Sequence, residues 1–345
     1  MSLMLDEIRQ QPEGVHRALA SQRASALALA EQVREKDIHS VIIAARGTSD
    51  NAAIYAKYLF EIVAGIPVSL AAPSVYTLYG SKMRLDHTLV LGISQSGQGT
   101  DVVEVLAVSK EAGAITACIT NQSDSPITAV SDTVLLCDAG SERSVAATKT
   151  YTTALAVIAM LIGYYAGESE MLESLHLVPD EMVKVLEMEP RILAMVERFR
   201  YMEECVVLAR GVNQCTAFEA ALKLTETCYM VAKPYSGADF LHGPIAVIKD
   251  GFPCFLFAPP GAAFAFMLDL ARRLKERNAE MVILSSEEAI LGLAQKRVQI
   301  PTTLPELLSP LVYVLPAQLF AHGLSQTRGL NPDHPRGLSK VTITK

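Results

Sequence analysis

A run of hydroxyl and glycine residues from Ser94 to Thr100 stands between two patterned stretches of this sequence. Thr88 to Ile93 is apolar or small throughout and predicts a buried strand, and Val102 to Val108 has helical spacing. A strand, a glycine-rich turn and a helix N-terminus gather backbone N–H groups, hydroxyls and the positive end of the helix dipole around one point. The pattern therefore indicates an anion site, most simply for phosphate, although an ordinary strand-to-helix turn capped by Ser and Thr gives the same pattern.

A second group of reactive side chains has helical spacing. Glu219, Lys223 and Glu226 fall at i, i+4 and i+7, which places two carboxylates and an ammonium on one helix face. A solvated Glu-Lys pair on an exposed helix would have the same spacing. The residues around them, from Ala217 to Leu224, are mostly apolar, which favours a charged face lining a cleft, where a carboxylate can act as a general base.

Metal and redox chemistry has no comparable pattern. The seven histidines show no pairing at i, i+4 and so predict no metal site: His16, His39, His87, His176, His242, His322 and His334. The six cysteines lack C-x-x-C spacing and mostly lie in apolar runs, which is typical of reduced core thiols: Cys118, Cys137, Cys205, Cys215, Cys228 and Cys254. We therefore expect neither a metal nor another cofactor.

The elements that must position the reactive residues occur twice in the chain. Val41 to Gly47 and Cys205 to Gly211 are apolar strands that both end in Ala-Arg-Gly, and the shift of 164 residues between them also carries Gly97 onto Gly261. Two anchors at one offset indicate a duplicated domain. Further strands are predicted in about the same register, in the pairs Ala114 to Ile119 with Glu280 to Leu284 and Thr133 to Leu136 with Leu311 to Val314.

Continuous apolar strands alternating with helices predict an α/β fold in which each half is a doubly wound αβα unit around a parallel sheet. Ligands bind such sheets at the carboxyl ends of the strands, where the Arg46 to Ser49 turn and the Ser94 to Thr100 loop would meet. The corresponding loop of the second half, Ala258-Pro259-Pro260, offers neither hydroxyls nor proline N–H groups. Only the first half is therefore expected to bind phosphate.

Length and composition limit the classes of protein. The 345 residues, 50% of them hydrophobic, suffice for two domains, which we expect as a helical segment at 1–30, a phosphate-binding domain at 31–168, a helical linker at 169–192, a second domain at 193–330 and a tail at 331–345. The net charge of −7 without a Lys/Arg cluster argues against nucleic-acid binding. Ala154 to Tyr165, the longest apolar stretch, is too short for a membrane span, and the polar N-terminus is unlike a signal peptide. We expect a cytoplasmic protein.

Six ordered motifs, from about Val41 to the C-terminus, resemble one family closely. They are Arg46-Gly47-Thr48-Ser49, Ser94-Gln95-Ser96-Gly97, Glu142 to Lys149, Glu219 to Glu226, His242-Gly243-Pro244 and His334 to Lys340. This set is similar to the sugar isomerase (SIS) domain pair, and more narrowly to the isomerase half of glucosamine-6-phosphate synthase. The resemblance implies two tandem, flavodoxin-like SIS domains and a C-terminal tail ordered over the active site.

The resemblance also implies roles for individual residues. It places a sugar phosphate substrate against Gly47, Thr48, Ser49, Ser94, Gln95, Ser96, Gly97 and Thr100, with Ala146 and Glu219 also at the substrate. Thr100 stands one position after the threonine of the synthase, whose place Gly99 takes. Glu226 would move a proton between C1 and C2 and His242 would open the sugar ring, while Lys223 or Lys340 would stabilise charge on the open-chain oxygens. Because this histidine reaches the partner's site in relatives, a homodimer is implied.

The expected reaction is hydrolytic deamination of glucosamine 6-phosphate to fructose 6-phosphate and ammonia. Roughly forty residues precede the first predicted strand, too few for the glutaminase domain of the synthase, so we do not expect ammonia to come from glutamine through this chain alone. The alternatives are another phosphosugar isomerase, a fructosamine-6-phosphate deglycase, an aminotransferase subunit fed by a separate glutaminase, and a non-catalytic sugar-phosphate sensor.

Overall fold

The chain forms two compact units in a computed structural model that describes residues 2–340. The first unit comprises residues 10–143, 147–176 and the tail from 338, and the second comprises the chain up to residue 9, residues 144–146 and residues 177–337. Residues 341–345 of the expected tail at 331–345 lie outside the described residues, as does Met1.

The sheet of the first unit has five parallel strands in the order β2-β1-β3-β4-β5. The strands are β1 Ser40–Ala44, β2 Val68–Leu70, β3 Thr88–Ile93, β4 Ile115–Thr120 and β5 Thr133–Leu136. Every residue of β3 is buried, as its unbroken apolar run predicts. The strand order reverses between β1 and β3, and such a switch point is where doubly wound sheets bind ligands.

The second unit repeats this sheet with the order β10-β9-β8-β6-β7, again parallel throughout. Its strands are β6 Glu204–Ala209, β7 Val231–Ser236, β8 Pro253–Phe257, β9 Glu280–Ser285 and β10 Lys296–Gln299. Each of these strands starts 163 to 165 residues after its counterpart in the first sheet. The structure thus confirms the duplicated, parallel α/β fold.

Helices flank both sheets. They are α1 Leu3–Arg9, α2 Gln11–Ser21, α3 Arg23–Glu35, α4 Thr48–Leu59, α5 Ser74–Thr77, α6 Thr100–Glu111, α7 Pro126–Val130, α8 Lys149–Ala166, α9 Ser169–Leu186, α10 Glu189–Met195, α11 Gln214–Cys228, α12 Gly237–Leu241, α13 Phe264–Glu276, α14 Glu288–Leu291 and α15 Pro310–Thr327. In the first unit α8 is buried from Lys149 to Gly163 and packs against α2, α3 and α4. A helix that is apolar on all sides belongs in the interior of a domain, which explains its central place.

One predicted strand is wrong. Leu311 to Val314 lies inside α15, and the last strand of the second sheet is β10 instead. A short apolar run fits a buried strand and a buried helix equally well, and Pro310 fits the first turn of a helix. The sequence does not predict β2 and β7 either, because β2 has only three residues and β7 contains Lys233 and Pro234.

The cysteines and the apolar helices have structural roles. All six cysteines are buried free thiols, as their apolar surroundings predict. Burial raises the pKa of Cys137 and Cys254 to about 12, so these thiols stay protonated. No helix within residues 2–340 is both long enough and apolar enough to cross a membrane.

Candidate functional site

Two loops of the first unit lie at the carboxyl ends of β1 and β3, the neighbouring strands at its switch point. An ion pair ties these loops together, since Arg46 Nε donates a hydrogen bond to Asp101 Oδ2 at 2.7 Å. The Asp101 side chain is only 3% exposed, so the contact is partly desolvated. The Arg46 to Ser49 turn and the Ser94 to Thr100 loop are therefore held at one crevice.

The Ser94 to Thr100 loop depends on a glycine at its centre. Gly97 has φ +65°, a conformation that residues with a Cβ rarely adopt. A Cβ at this position would stand 2.2 Å from Ser125 Oγ, so the loop also needs the missing side chain for its packing. The Gly97 N–H donates to Ser94 Oγ at 3.1 Å, and the Gln98 N–H donates to Ser96 Oγ at 3.3 Å. The serine hydroxyls thereby shape the turn and keep their own protons for another acceptor.

Two helices begin at this crevice. α4 starts at Thr48 after Gly47, whose φ is +56°, and α6 starts at Thr100 after Gly99. Neither glycine has a side chain with which to cap the helix, and the N-terminal ends of both helix dipoles favour an anion. A Cβ at Gly99 would meet nothing closer than Asp101 Oδ1 at 3.6 Å, so the glycine at the synthase's threonine position is not required by packing.

An open cleft of about 940 Å³ adjoins the loop in the first unit. It is lined by α2 and by residues that follow β3, β4 and β5: His16, Arg17, Ala20, Ser21, Gln95, Asn121, Gln122, Asp138, Gly140, Ser141 and Glu142. Small-molecule sites commonly have volumes of about 300–1,000 Å³. Because Gln95 belongs to both features, the loop opens onto a polar space large enough for a hexose.

The tail of the chain is attached to the first unit by one buried carboxylate. Lys340 Nζ donates to Glu142 Oε2 at 2.8 Å, and the Glu142 side chain has no exposed area. Glu142 also accepts from the N–H groups of Thr148 and Thr150, at 2.9 and 3.1 Å, and from the Thr150 hydroxyl at 2.7 Å. Burial alone would raise the pKa of Glu142, but the charge of Lys340 and these hydrogen bonds lower it. Glu142 therefore stays ionised and holds Lys340 in place.

The second unit contains the charged helix face. On α11, Lys223 Nζ lies 2.7 Å from Glu226 Oε2 and 3.3 Å from Glu219 Oε1. Lys223 and Glu219 are buried, whereas the Glu226 side chain is 24% exposed. Burial alone would lower the pKa of Lys223, but the two carboxylates raise it above its ordinary value. The three side chains thus form a partly buried cluster with one accessible carboxylate, which an exposed Glu-Lys pair would not form.

Two other predicted site residues lie elsewhere in the second unit. His242 follows α12 with its side chain exposed, and its ring makes no hydrogen bond to any described residue. Ala146 is buried in the short segment 144–146, where the Val145 N–H donates to the Asp333 carbonyl at 3.3 Å. The first unit thus contains Gly47, Thr48, Ser49, Ser94, Gln95, Ser96, Gly97, Thr100 and Lys340, and the second contains Ala146, Glu219, Lys223, Glu226 and His242.

Comparison with known proteins identifies the fold and its repeat. The SIS domain model matches residues 34–163 and 202–326, one segment in each half of the chain. The chain belongs to the SIS domain family. Its curated SIS relatives include the isomerizing glutamine–fructose-6-phosphate aminotransferase of Thermococcus kodakarensis, 35% identical over 353 residues. That of Methanothermobacter thermautotrophicus is 34% identical over 343 residues. Each alignment covers 99% of this chain but only 58% and 57% of the relative, so the chain spans little more than half the length of these proteins.

Solved SIS structures match over nearly the whole chain. A candidate phosphosugar isomerase of Silicibacter pomeroyi has a TM-score of 0.88 and 30% identity, covering 96% of this chain and 100% of its own. The C-terminal domain of glucosamine-fructose-6-phosphate aminotransferase from Francisella tularensis has a TM-score of 0.88 and 26% identity, covering 97% and 98%. The glucosamine-6-phosphate deaminase of Thermotoga maritima, at TM-score 0.81, 22% identity and coverage of 99% and 100%, shares the fold.

Reasoning from the sequence misses one residue of the SIS site. Glu142 opens a motif that is recognisable in the sequence, but nothing in its spacing indicates a contact with Lys340, which lies 198 positions away. The available signal is weak: an acidic residue shortly before an apolar helix, with two threonines at its start. Only the fold shows that this carboxylate is buried and bound to a cation from the tail.

Proposed function

We propose that this SIS protein isomerises and deaminates a hexosamine phosphate, with glucosamine 6-phosphate and water giving fructose 6-phosphate and ammonia. In the open-chain substrate a proton leaves C2 and is delivered to C1, O1 gains a proton, and a C2 imine forms. Water then adds to C2 and ammonia leaves. The slow step of such an exchange needs a positioned base that can release the proton again.

The observation that carries this proposal is the cluster of Glu226, Lys223 and Glu219 on α11. Glu226 is the cluster's accessible carboxylate, and one of its oxygens is fixed 2.7 Å from the ammonium of Lys223. The ammonium cannot serve as a base, because its pKa is raised and it remains protonated. The second Glu226 oxygen is left to exchange the proton between C1 and C2, while Lys223 fixes the orientation of the carboxylate.

The first unit would hold the other end of the substrate. The serine hydroxyls of the Ser94 to Thr100 loop and the N-terminal ends of α4 and α6 supply donors and positive potential for a phosphate. Glu142 is proposed as a positioning residue, because it fixes the ammonium of Lys340 without itself being accessible. Lys340 would then stabilise negative charge on a substrate oxygen.

The nitrogen chemistry is supported by the named relatives. Proteins about one-third identical to this chain are aminotransferases that act on fructose 6-phosphate, which is the ketose product of the proposed reaction. The residues described above would equally serve a phosphosugar isomerase without nitrogen release, a fructosamine-6-phosphate deglycase or an aminotransferase subunit. These alternatives are separated by the product formed.

The first test is a substrate panel. The protein is incubated with glucosamine 6-phosphate, its N-acetyl form, galactosamine 6-phosphate and fructosamine 6-phosphate, and ammonia and fructose 6-phosphate are measured. We expect equal amounts of both products from glucosamine 6-phosphate. Ammonia from none of the amino sugars would rule out the deaminase, and ammonia from fructosamine 6-phosphate alone would identify a deglycase.

The second test removes the base. Glu226→Gln should retain substrate binding and lose about 10²- to 10⁴-fold in turnover, the usual contribution of a general base. Glu276→Gln, on the exposed end of α13, is the matched control and should retain full turnover. Full activity in Glu226→Gln would remove the assigned base.

A third test concerns His242, which the proposal assigns to ring opening in the site of a second copy. Glu226→Gln and His242→Ala should each be inactive alone. After the two variants are mixed and refolded together, mixed dimers would contain one site with both side chains, and part of the activity should return. No recovery in verified mixed dimers would contradict action across a dimer.

A further inference from the structure

Three potential metal ligands lie together at the amino-terminal edge of the first unit's sheet. Asp37 and His39 stand between α3 and β1, and His87 immediately precedes β3. The two strands pair in parallel with Ser40 opposite Thr88, so the segments before them are adjacent. The His39 N–H donates to the His87 carbonyl at 2.9 Å, which fixes the approach of the two histidines.

The donor atoms are close enough to share one ion. One ring nitrogen of each histidine and one carboxylate oxygen of Asp37 all lie within 4.8 Å of one another. His39 Nε2 is 3.1 Å from Asp37 Oδ2. Tetrahedral zinc with bonds of about 2.0–2.1 Å separates its ligand atoms by about 3.3 Å, so this pair already has the required spacing. The two imidazole rings are stacked with centroids 5.2 Å apart, which leaves a short adjustment for the third ligand.

The hydrogen bonds of His87 prepare it as a ligand. Its Nδ1 lies 3.1 Å from the carbonyl oxygens of both Lys36 and Asp37, and a carbonyl can only accept. Nδ1 therefore carries the proton, and Nε2 keeps its lone pair. A histidine that binds a metal through one nitrogen commonly donates from the other to a backbone carbonyl, which fixes the tautomer and the ring.

The backbone at this edge is also unusual. Asp37 and His87 have φ values of +51° and +52°, in the left-handed region that few residues with a side chain adopt. Such conformations persist where the surrounding structure holds them, and they often accompany function. Here the left-handed turns occur at two of the three potential ligands.

From this arrangement we infer a metal site that the histidine spacing in the sequence does not indicate: Asp37, His39 and His87 bind one divalent transition-metal ion, Zn²⁺ in particular. Two imidazoles and one carboxylate suit zinc, with water as the fourth ligand. The site lies at the sheet edge opposite the Ser94 to Thr100 loop, so the ion would join two segments some fifty residues apart and would not contact the substrate. Its effect would be stabilisation of the first unit, because the ion binds the folded ligand set.

The test is a zinc titration of full-length protein freed of metal with a chelator. We expect one high-affinity Zn²⁺ per chain by isothermal titration calorimetry, and a rise in melting temperature with added ZnCl₂. His39→Ala and His87→Ala should each weaken the binding by at least about tenfold, the order that the loss of one ligand causes. His176→Ala removes an exposed histidine from α9 and should leave both readouts unchanged.

Because Asp37, His39 and His87 are all exposed, the variants should fold like the parent in the presence of chelator. Two results would overturn the inference. One is the absence of stoichiometric zinc binding. The other is zinc binding of equal strength in the parent, His39→Ala and His87→Ala, which would mean an adventitious ion only. Neither result depends on the proposed reaction, since the readouts are heat of binding and melting temperature.

Discussion

The two repeats of this chain treat the same loop in opposite ways. After β3 the first repeat has the Ser94 to Thr100 loop, with hydroxyls and a helix that no side chain of Gly99 can cap. After β8 the second repeat has Ala258 to Ala263, and there the N–H groups of Ala262 and Ala263 donate to the carboxylate of Glu306 at 2.6 and 3.3 Å. The second repeat thus meets these donors with an anion of its own, where the first leaves a crevice for a ligand.

The helices that follow the first strand of each repeat differ in the complementary sense. On α11 the second repeat has Glu219, Lys223 and Glu226, and a shift of 164 residues places Tyr55, Leu59 and Ile62 at the corresponding positions of the first. Tyr55 and Leu59 are completely buried. Duplication therefore supplied two copies of one scaffold, of which the first retains the anion loop and the second has the acid–base cluster.

The largest expected effect comes from removing the cation of that cluster. Lys223→Met leaves Glu219 and Glu226 without their partner in a buried setting, which should lower the free energy of unfolding by about 3–5 kcal/mol. Lys275→Met, on the exposed side of α13, is the control and should change it by less than about 0.5 kcal/mol. Urea unfolding measures both, and a loss below about 1 kcal/mol for Lys223→Met would show that the cluster is not coupled as described.

A double variant sharpens the same contrast. Glu219→Gln combined with Lys223→Met brings this face closer to the apolar character of Tyr55 and Leu59, so it should regain part of the lost stability without regaining turnover. Recovery of stability alone would show that the cluster is kept for chemistry.

The central glycines of the two loops provide a matched pair. Gly97→Ala forces a side chain into a left-handed residue against Ser125 and should weaken sugar-phosphate binding by at least about tenfold, since strain of 1–3 kcal/mol is typical there. Gly261→Ala, whose Cβ would meet Glu306 Oε2 at 2.2 Å, should destabilise the protein and leave the affinity within about twofold, below 0.5 kcal/mol. Calorimetric titration compares them, and equal losses of affinity would contradict the division between the loops.

A smaller effect is expected from the internal anion. Glu306→Ala removes two charge-assisted hydrogen bonds from a partly exposed site and should cost about 1–2 kcal/mol of stability. Turnover should be unchanged, because Glu306 stands in neither the loop nor the charged cluster of the proposed site. Thermal unfolding and the ammonia assay check the two statements, and loss of turnover in a folded variant would assign Glu306 to the reaction.

The smallest effect is a dependence on pH. The pKa of Glu142 is lower in the folded chain than its ordinary value of 4.5, so the folded state holds this proton less tightly than the unfolded chain does. The stabilisation from Glu142 is therefore fully present above about pH 5 and disappears as the pH falls through the folded pKa. The difference in unfolding free energy between the parent and Glu142→Gln should be constant from pH 7 to 5 and shrink below, as urea unfolding at each pH would show. A constant difference down to pH 3 would contradict the ionic contact with Lys340.

The sequence predicts features that depend on neighbouring residues. The buried runs of β3 and β4, the helix of Glu219 to Glu226 and the repeat all follow from local pattern. Leu311 to Val314 was ambiguous for the same reason, because four apolar residues do not distinguish strand from helix. The contacts of Glu142 with Lys340, of Glu306 with Ala262 and of His87 with Asp37 join residues between 44 and 198 positions apart. Such contacts arise only when the sheets assemble.

The division of roles between the repeats is tested most directly by a crystal structure of the protein with bound fructose 6-phosphate. The phosphate should lie on the Ser94 to Thr100 loop, with its oxygens within hydrogen-bonding distance of the serine hydroxyls, while Glu306 stays on Ala262 and Ala263. A phosphate that displaces Glu306 from the second loop, with the first loop empty, would contradict it.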